Sequence, residues 1–300
     1  MSTQPTHLAG DQYVQATGME DLWNVWYSEL NNGVAGLTVK VNRIIESTES
    51  PFQRIDVLDT KQYGKILVLY GSLMVAEKDN NAYNEMISHV PLFAHPNPKK
   101  VLIIGGGDCG ALTEVLKHPG VEQCTMCEID KLVVDVSKKH FPELTKGLND
   151  PRARVIYDDG KAFIENSNEK FDVVMLDLSD PIGPAVELFQ KSFYETVFSK
   201  LNDDGIMVPQ TESPYFHEDS TRAVHQSLKT IFPIVKAYTA FMPIYPSAYW
   251  SFAFCSKKYD PLKNFDEARW NKLGLSTKYY NAEVHRGAFA LPQWVKKITG

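Results

Sequence analysis

A carboxylate stands where a nucleotide site normally receives a phosphate. Asp108 falls inside the glycine loop Gly105-Gly106-Gly107-Asp108-Cys109-Gly110. The loop has G-x-G-x-x-G spacing and follows the apolar run Val101 to Ile104, the pattern of a strand-to-helix turn in a nucleotide-binding sheet. Such a turn offers backbone N–H groups and a helix N-terminus to an anion, so an acid there repels a pyrophosphate and attracts a cation. Further acids recur where strands should end: Glu128, Asp158-Asp159-Gly160, and the pair Asp177 and Asp180 in a loop rich in proline and glycine. Two acids three apart can bind both amines of a short diamine. Like charges in a partly desolvated cleft also raise one pKa, which suits a base.

Each acid alone has a plain structural account, because Asp is a common helix cap and turn residue, and Asp130 can simply cap the helix after it. Gathered on one rim they repel one another unless a cation, a metal or protonation offsets them. Magnesium or calcium would suit clustered carboxylates, but the chain has no EF-hand loop, no His pair at helical ligand spacing and no implied substrate phosphate. The expectation is no metal. Glu128 lies about twenty residues past the glycine loop, where an acid bonds ribose hydroxyls in many nucleoside sites. Asp159 and Gly160 are placed to reach an adenine amino group. Asp108 discriminates among such sites; the others do not.

The elements that must position these residues read as an α/β fold. From Lys99 onward, apolar runs alternate with helical segments, the signature of a doubly wound, Rossmann-like sheet. Strands are predicted over 101–104, 123–127, 154–157, 173–176, 205–209 and 250–255, with helices such as 111–117 and 131–140. Upstream, short β-rich runs at 37–45, 52–59, 65–69 and 73–76 predict a small antiparallel β-domain, and 80–94 a helix ending before His95-Pro96-Asn97-Pro98. The predicted organisation is a loosely ordered extension over 1–18, a β-domain with its connecting helix over 19–96, and a catalytic domain over 97–300.

Composition narrows the function classes. The 300 residues are 43% hydrophobic with a net charge of −6, enough for a substantial core and without the basic field that holds nucleic acid. No apolar stretch is long enough to span a bilayer, and the polar N-terminus lacks a signal-peptide core, so a cytoplasmic protein with no membrane partner is expected. Four cysteines are too few for a disulfide framework. Cys124 and Cys127 have C-x-x-C spacing but sit in a strand, and are expected as small core residues.

Taken together, these segments resemble the polyamine aminopropyltransferase (spermidine synthase) family from Trp26 to the C-terminus. The resemblance is carried by GGGDCG (105–110), CEIDKLVVDVSKKHFP (127–142), DDG (158–160), DLSDPIGPAVELF (177–189) and YPSAYWSFAFCSK (245–257), with YNEM (83–86) and HPNPKKVLIIGGGD (95–108). It implies decarboxylated S-adenosylmethionine as co-substrate, no cofactor, putrescine as acceptor, and a homodimer or homotetramer formed through the N-terminal β-region. By resemblance the donor contacts are Gln53, Asn84, Gly105, Gly107, Asp108, Glu128, Asp159 and Gly160. The acceptor contacts are Trp26, Tyr83, Asp177, Asp180, Gln210 and Tyr245, with Asp177 the general base, assisted by Tyr83.

Several positions depart from the family pattern. Cys109 replaces a glycine, Leu178 a Ser or Thr, and Tyr70 an Asp in a Leu-Asp-Gly turn, while Asn80 and Asn84 stand where Glu and His or Gln are common. These bear on whether the acceptor is putrescine, agmatine, cadaverine or a longer amine. The nearest rival is an S-adenosylmethionine-dependent putrescine N-methyltransferase; in the plant enzymes of that kind the loop acid is apolar, so Asp108 speaks for aminopropyl transfer. An idle nucleoside-binding protein is a more distant rival, as is an NAD-linked oxidoreductase, which Asp108 disfavours.

Overall fold

The structure, a computed structural model, describes residues 25–31, 35–179 and 187–300. The extension expected over 1–18, and Asp180 with the loop after it, lie outside the described residues. The first unit is a five-stranded sheet of β1 (Val25–Asn31), β2 (Ala35–Glu49), β3 (Arg54–Thr60), β4 (Gly64–Leu69) and β5 (Ser72–Ala76), ordered as in the chain with antiparallel neighbours. Alternating residues give it two faces. Ile55, Val57, Leu67 and Val75 bury against Val133, Val136 and Phe141 of the next unit, while Val41, Leu58, Ile66 and Val68 cluster around Ile244. Strand β1 is not among the predicted strands, because Ser28, Glu29 and Asn31 interrupt its apolar residues and its pairing comes from β2.

Helix α1 (Asn80–Ala94) matches its predicted bounds and is buried from Ala82 onward, packing on the second sheet's side of the molecule. After it come β6 (Lys100–Gly105), α2 (Gly110–Leu116), β7 (Gln123–Glu128), α3 (Lys131–His140), β8 (Ala153–Tyr157), α4 (Gly160–Asn166) and β9 (Phe171–Asp177). Then follow α5 (Lys191–Lys200), β10 (Leu201–Pro209), α6 (Glu218–Lys229), β11 (Ile234–Phe241), β12 (Tyr249–Ser256), α7 (Glu267–Leu273), α8 (Ala282–Gly287) and α9 (Gln293–Thr299). Their sheet has the order β11-β12-β10-β9-β6-β7-β8, parallel from β10 to β8, with β12 antiparallel to both of its neighbours. The fold is therefore a Rossmann-like sheet preceded by a small antiparallel one, as expected, with β11 an addition. That strand follows Phe232-Pro233 and carries Lys236 and Thr239 among its apolar residues, so it reads as a connection until β12 supplies its pairing.

Successive strands run outward from β6 in one direction through β7 and β8, and in the other through β9 and β10. Ligands in such sheets bind beyond the strand ends where this order reverses. The reversal lies between β6 and β9, which aligns Asp177, Asp108, Glu128 and Asp159 in that spatial order along one rim.

The hairpin between β4 and β5 explains one departure. Leu69 pairs with Ser72, leaving Tyr70 and Gly71 as a two-residue turn with φ of 50° and 85°. A turn with two positive φ values favours Asn-Gly or Asp-Gly, and Tyr70 is 68% exposed, so its side chain gives little burial in return. Tyr70→Asn is expected to stabilise the fold by about 0.5–1 kcal/mol, read as a higher denaturation midpoint; an unchanged or lower midpoint would contradict the strain argument.

Candidate active site

The glycine loop is stitched to the end of β9. Gly106 N–H donates to the Asp177 carbonyl at 2.9 Å, and Gly105 has a φ of +82°, with space for a Cβ closed by that same carbonyl at 2.2 Å. Only glycine meets both demands. Asp108 follows, its Oδ1 accepting the Gly110 N–H at 2.6 Å at the start of α2. Cys109 has a φ of 67° with its side chain fully buried, a left-handed position that a glycine takes without strain. Burial and the acids around it push that thiol far up, which leaves it a packing group rather than a nucleophile.

Asp177 at the end of β9, Asp108 in the glycine loop and Glu128 at the end of β7 act on one another at this rim. Asp177 is pushed up to about 8, first by burial and then by the charges of Asp108 and Glu128, with the Tyr83 hydroxyl pulling the other way. Its Oδ2 is buried without a hydrogen-bond partner. Burial pushes Asp108 up to about 6 and Glu128 up to about 7, each against backbone N–H groups that stabilise the charge. Tyr83 is itself driven far above the ordinary tyrosine range, by burial and by Asp177. Its ring lies 5.9 Å from Tyr245 and 5.4 Å from Phe252.

Asn84 lies one residue further along α1, its amide flat against Gly110, where an added Cβ would meet Nδ2 at 2.1 Å. Its Oδ1 is also buried without a partner. Tyr83, Asn84, Asp108 and Tyr245 wall a cleft between the two sheets, together with Met74, Asp79 and Ile244. Tyr245 enters it with its hydroxyl held by the Met74 carbonyl at 2.9 Å. Asp79 is a residue that sequence reasoning leaves unassigned. As the residue before α1 it looks like an N-cap, yet it makes no cap bond; Oδ2 accepts Ile244 N–H at 2.9 Å and Oδ1 is buried and unpartnered. Burial pushes it up to about 6.

The other expected residues take more distributed positions. Glu128 Oε1 accepts the Asp130 N–H at 2.8 Å. Asp130 caps α3 as expected, accepting Leu132 N–H at 3.0 Å, and its second oxygen accepts from Ser50 Oγ at 2.6 Å and Gln53 Nε2 at 3.0 Å. Gln53 thus reaches the rim through Asp130, a link made across the two sheets. Gly107 lies against Glu128. Asp159 accepts Ala162 N–H at 2.9 Å and Gly160 opens α4 behind it. Gln210 is committed to the backbone: Nε2 donates to the Leu178 carbonyl at 3.2 Å and Oε1 accepts Glu212 N–H at 2.8 Å, fixing the exit of β9. Trp26 is half-buried on β1 opposite Lys40 and is not among the walls of the cleft at Asp108.

These raised acids predict a stability cost. Folded, Asp108, Glu128 and Asp177 keep protons to about pH 6–8; unfolded, carboxyls lose theirs by about pH 5. The folded form binds more protons between those limits, so the destabilisation by these groups grows as pH rises from about 4 towards 8. Ligand-free Asp177→Asn is therefore expected to melt at least roughly 4 °C above the wild type at pH 8, the gap closing near pH 4. Equal melting temperatures at pH 8 would contradict the buried-charge account.

The chain is similar to known proteins over most of its length. Residues 80–267 match the spermine/spermidine synthase domain, and residues 25–77 the spermidine synthase tetramerisation domain. A polyamine aminopropyltransferase of Caldicellulosiruptor bescii is 47% identical over 274 residues, 91% of this chain and 98% of that protein. One from Bacillus subtilis is 43% identical, with the same coverage. Among solved structures, a spermidine synthase in complex with the transition-state analogue AdoDATO superposes with a TM-score of 0.89 at 42% identity, covering 92% of this chain and 95% of that one. The spermidine synthase from Thermotoga maritima gives 0.86 at 41% identity, covering 92% and 94%.

Proposed function

This chain belongs to the spermine/spermidine synthase family, and from that premise we propose that its cleft moves the aminopropyl group of decarboxylated S-adenosylmethionine onto putrescine, giving spermidine and methylthioadenosine. It is an aminopropyltransferase. One observation carries the assignment to the residues: Asn84, whose buried Oδ1 has no donor, lines the cleft beside the half-buried carboxylate of Asp108, and the buried, unpartnered Oδ2 of Asp177 lies against Gly106 of the loop that carries Asp108. Acceptors gathered in that way suit ammonium and sulfonium groups, and a phosphate would find only repulsion.

In this reading Asp108 and Asn84 hold the ammonium of the donor tail, Glu128 the ribose hydroxyls, Asp159 and Gly160 the adenine, and Gln53 acts through Asp130. Asp180 takes the far ammonium of putrescine, while Tyr83 and Tyr245 enclose its methylenes and Gln210 fixes the strand end that carries the base. Asp177, beside Tyr83, takes a proton from the near ammonium. The freed nitrogen lone pair forms a bond to the propyl carbon next to sulfur as the carbon–sulfur bond breaks, its electron pair neutralising the sulfonium. The donor is consumed as a co-substrate, and the displacement calls for no cofactor or metal.

The chain works as a homo-oligomer, and we favour a tetramer built on the N-terminal sheet. The tetramerisation-domain match covers that sheet, and Val25, Leu30, Ile44 and Phe52 leave apolar surface on it. Among the described residues no helix is long and apolar enough to cross a membrane, and we place the protein in the cytoplasm. An acceptor panel with decarboxylated donor, read by mass, tests the substrate: putrescine is expected to give the highest kcat/KM. Agmatine or cadaverine turned over more efficiently would replace it.

A further inference from the structure

At the end of the second sheet away from the cleft, three side chains of metal-binding type come together. His95, Asp172 and Asp204 each offer one ligand atom, and these atoms all lie within 4.8 Å of one another. His95 follows the last turn of α1, its N–H bonded to the Pro91 carbonyl at 2.9 Å, and Asp172 stands at the start of β9. Asp204 comes from an irregular stretch of β10, where the pairing passes from Leu201 with Phe171 directly to Ile206 with Val173. The unpaired residues of that stretch bring Asn202 and Asp204 up to Asp172.

Hydrogen bonds fix both carboxylates and leave each an acceptor site to spare. Asp172 Oδ2 accepts the N–H groups of Lys99 and Lys100 at 2.8 and 2.9 Å, and Oδ1 accepts Asn202 Nδ2 at 2.6 Å. Asp204 Oδ2 accepts the Tyr259 hydroxyl at 2.8 Å, and the Tyr259 ring stands edge-on to His95 at 5.2 Å. His95 is only 3% exposed, yet its Nε2 has no hydrogen-bond partner; Asp204 Oδ1 is 3.7 Å away, beyond hydrogen-bond reach. Among the described residues neither carboxylate pairs with a lysine or arginine. Lys99 and Lys100 place their ammonium groups on Glu122 at 2.6 Å and Glu169 at 3.4 Å, and the Arg269 guanidinium donates to the carbonyls of Leu92, His95 and Pro96. Lys258 lies over the Tyr259 ring at 5.4 Å.

We propose that His95, Asp172 and Asp204 bind one divalent transition-metal ion of the zinc type, which ties the exit of α1 to β9 and β10. An imidazole with two carboxylates suits such an ion, whereas magnesium and calcium take oxygen ligands. The two negative charges balance the two positive ones. Zinc holds nitrogen and oxygen donors at about 2.0–2.2 Å, so they lie roughly 3.4 Å apart. The spacing of His95 and Asp204 is already close to that, and a shift of about 1 Å draws in Asp172. Both carboxylates are half-buried, so water reaches the ion and completes its shell. Nδ1 of His95 accepts the Asn97 N–H at 3.2 Å, which leaves the proton of the neutral ring on Nε2. Binding shifts that proton to Nδ1, and the exposed Asn97 N–H turns to water. The ion takes no part in group transfer, since Asp172 and Asp177 mark opposite ends of β9, about 16 Å apart along the strand.

Calorimetric titration of the chelator-treated protein with zinc chloride tests the site in the wild type, His95→Ala and Asp204→Asn. The wild type is expected to bind one more equivalent of zinc than either variant, or to bind it at least tenfold more tightly, and to bind magnesium chloride at least tenfold more weakly than zinc. Excess zinc is expected to raise the melting temperature of the wild type and of neither variant. Unchanged circular dichroism of the metal-free variants is the control for folding. Asp204→Asn, which keeps an acceptor for the Tyr259 hydroxyl, carries the test if His95→Ala fails to fold. No zinc bound by the wild type, or zinc bound equally by wild type and variants, overturns the site. Magnesium bound as tightly as zinc overturns the choice of ion.

Discussion

Asp108→Ile is expected to cripple aminopropyl transfer, lowering kcat/KM with decarboxylated donor roughly 30- to 4,000-fold, while methylthioadenosine still binds. The carboxylate is half-buried, carries one backbone bond from Gly110 and lines the cleft with Asn84 and Tyr83. Removing one partner of a buried charge pair costs about 2–5 kcal/mol, and each 1.4 kcal/mol is about tenfold in rate. Methylthioadenosine lacks the ammonium, so its affinity separates loss of the charge contact from loss of the fold. Asp108→Asn is a second control, since its amide oxygen can still accept from Gly110. A variant within tenfold of wild type would remove Asp108 from the donor site.

Asp177→Asn is expected to lower kcat by about 10²–10⁴, the usual worth of a positioned base, with little change in donor affinity. In the ligand-free protein burial and the charge of Asp108 push Asp177 up to about 8, which favours its protonated form at neutral pH. Because Asp108 titrates with it, the two carboxyls lose their protons as a pair. Wild-type kcat/KM is therefore expected to rise with pH through about 8. The cationic donor and diamine favour the ionised form and lower that pKa, so kcat itself should level off at lower pH. Substrate charge readies the base. In Asp177→Asn the rise assigned to the base should vanish; an unchanged pH profile would place the base elsewhere.

Much of this site is legible in the sequence because chain spacing determines it. The apolar run before the glycine loop places Asp108 at the end of β6, and alternation of strands and helices places Glu128, Asp159 and Asp177 at neighbouring ends. Links made by distant segments are not legible. Gln53 reaches Asp130 across 77 positions, and Asp79 reaches Ile244 across 165. Nothing local to Asp79 distinguishes it from a helix cap, although it makes no such bond. Strands β1 and β11 escape the sequence pattern for a similar reason, since polar residues interrupt each and its pairing comes from a neighbour. The departures at Tyr70 and Cys109 become physical statements only with the backbone angles, which put both in left-handed positions.

The central claim is that this row of acids selects the donor's cationic aminopropyl tail over an ordinary S-adenosylmethionine, whose tail also bears a carboxylate. The most direct measurement offers the wild-type protein putrescine with equal concentrations of S-adenosylmethionine and its decarboxylated form, and reads the products by mass. Spermidine and methylthioadenosine, formed from the decarboxylated donor, are the expected products. N-methylputrescine formed from intact S-adenosylmethionine would contradict the account.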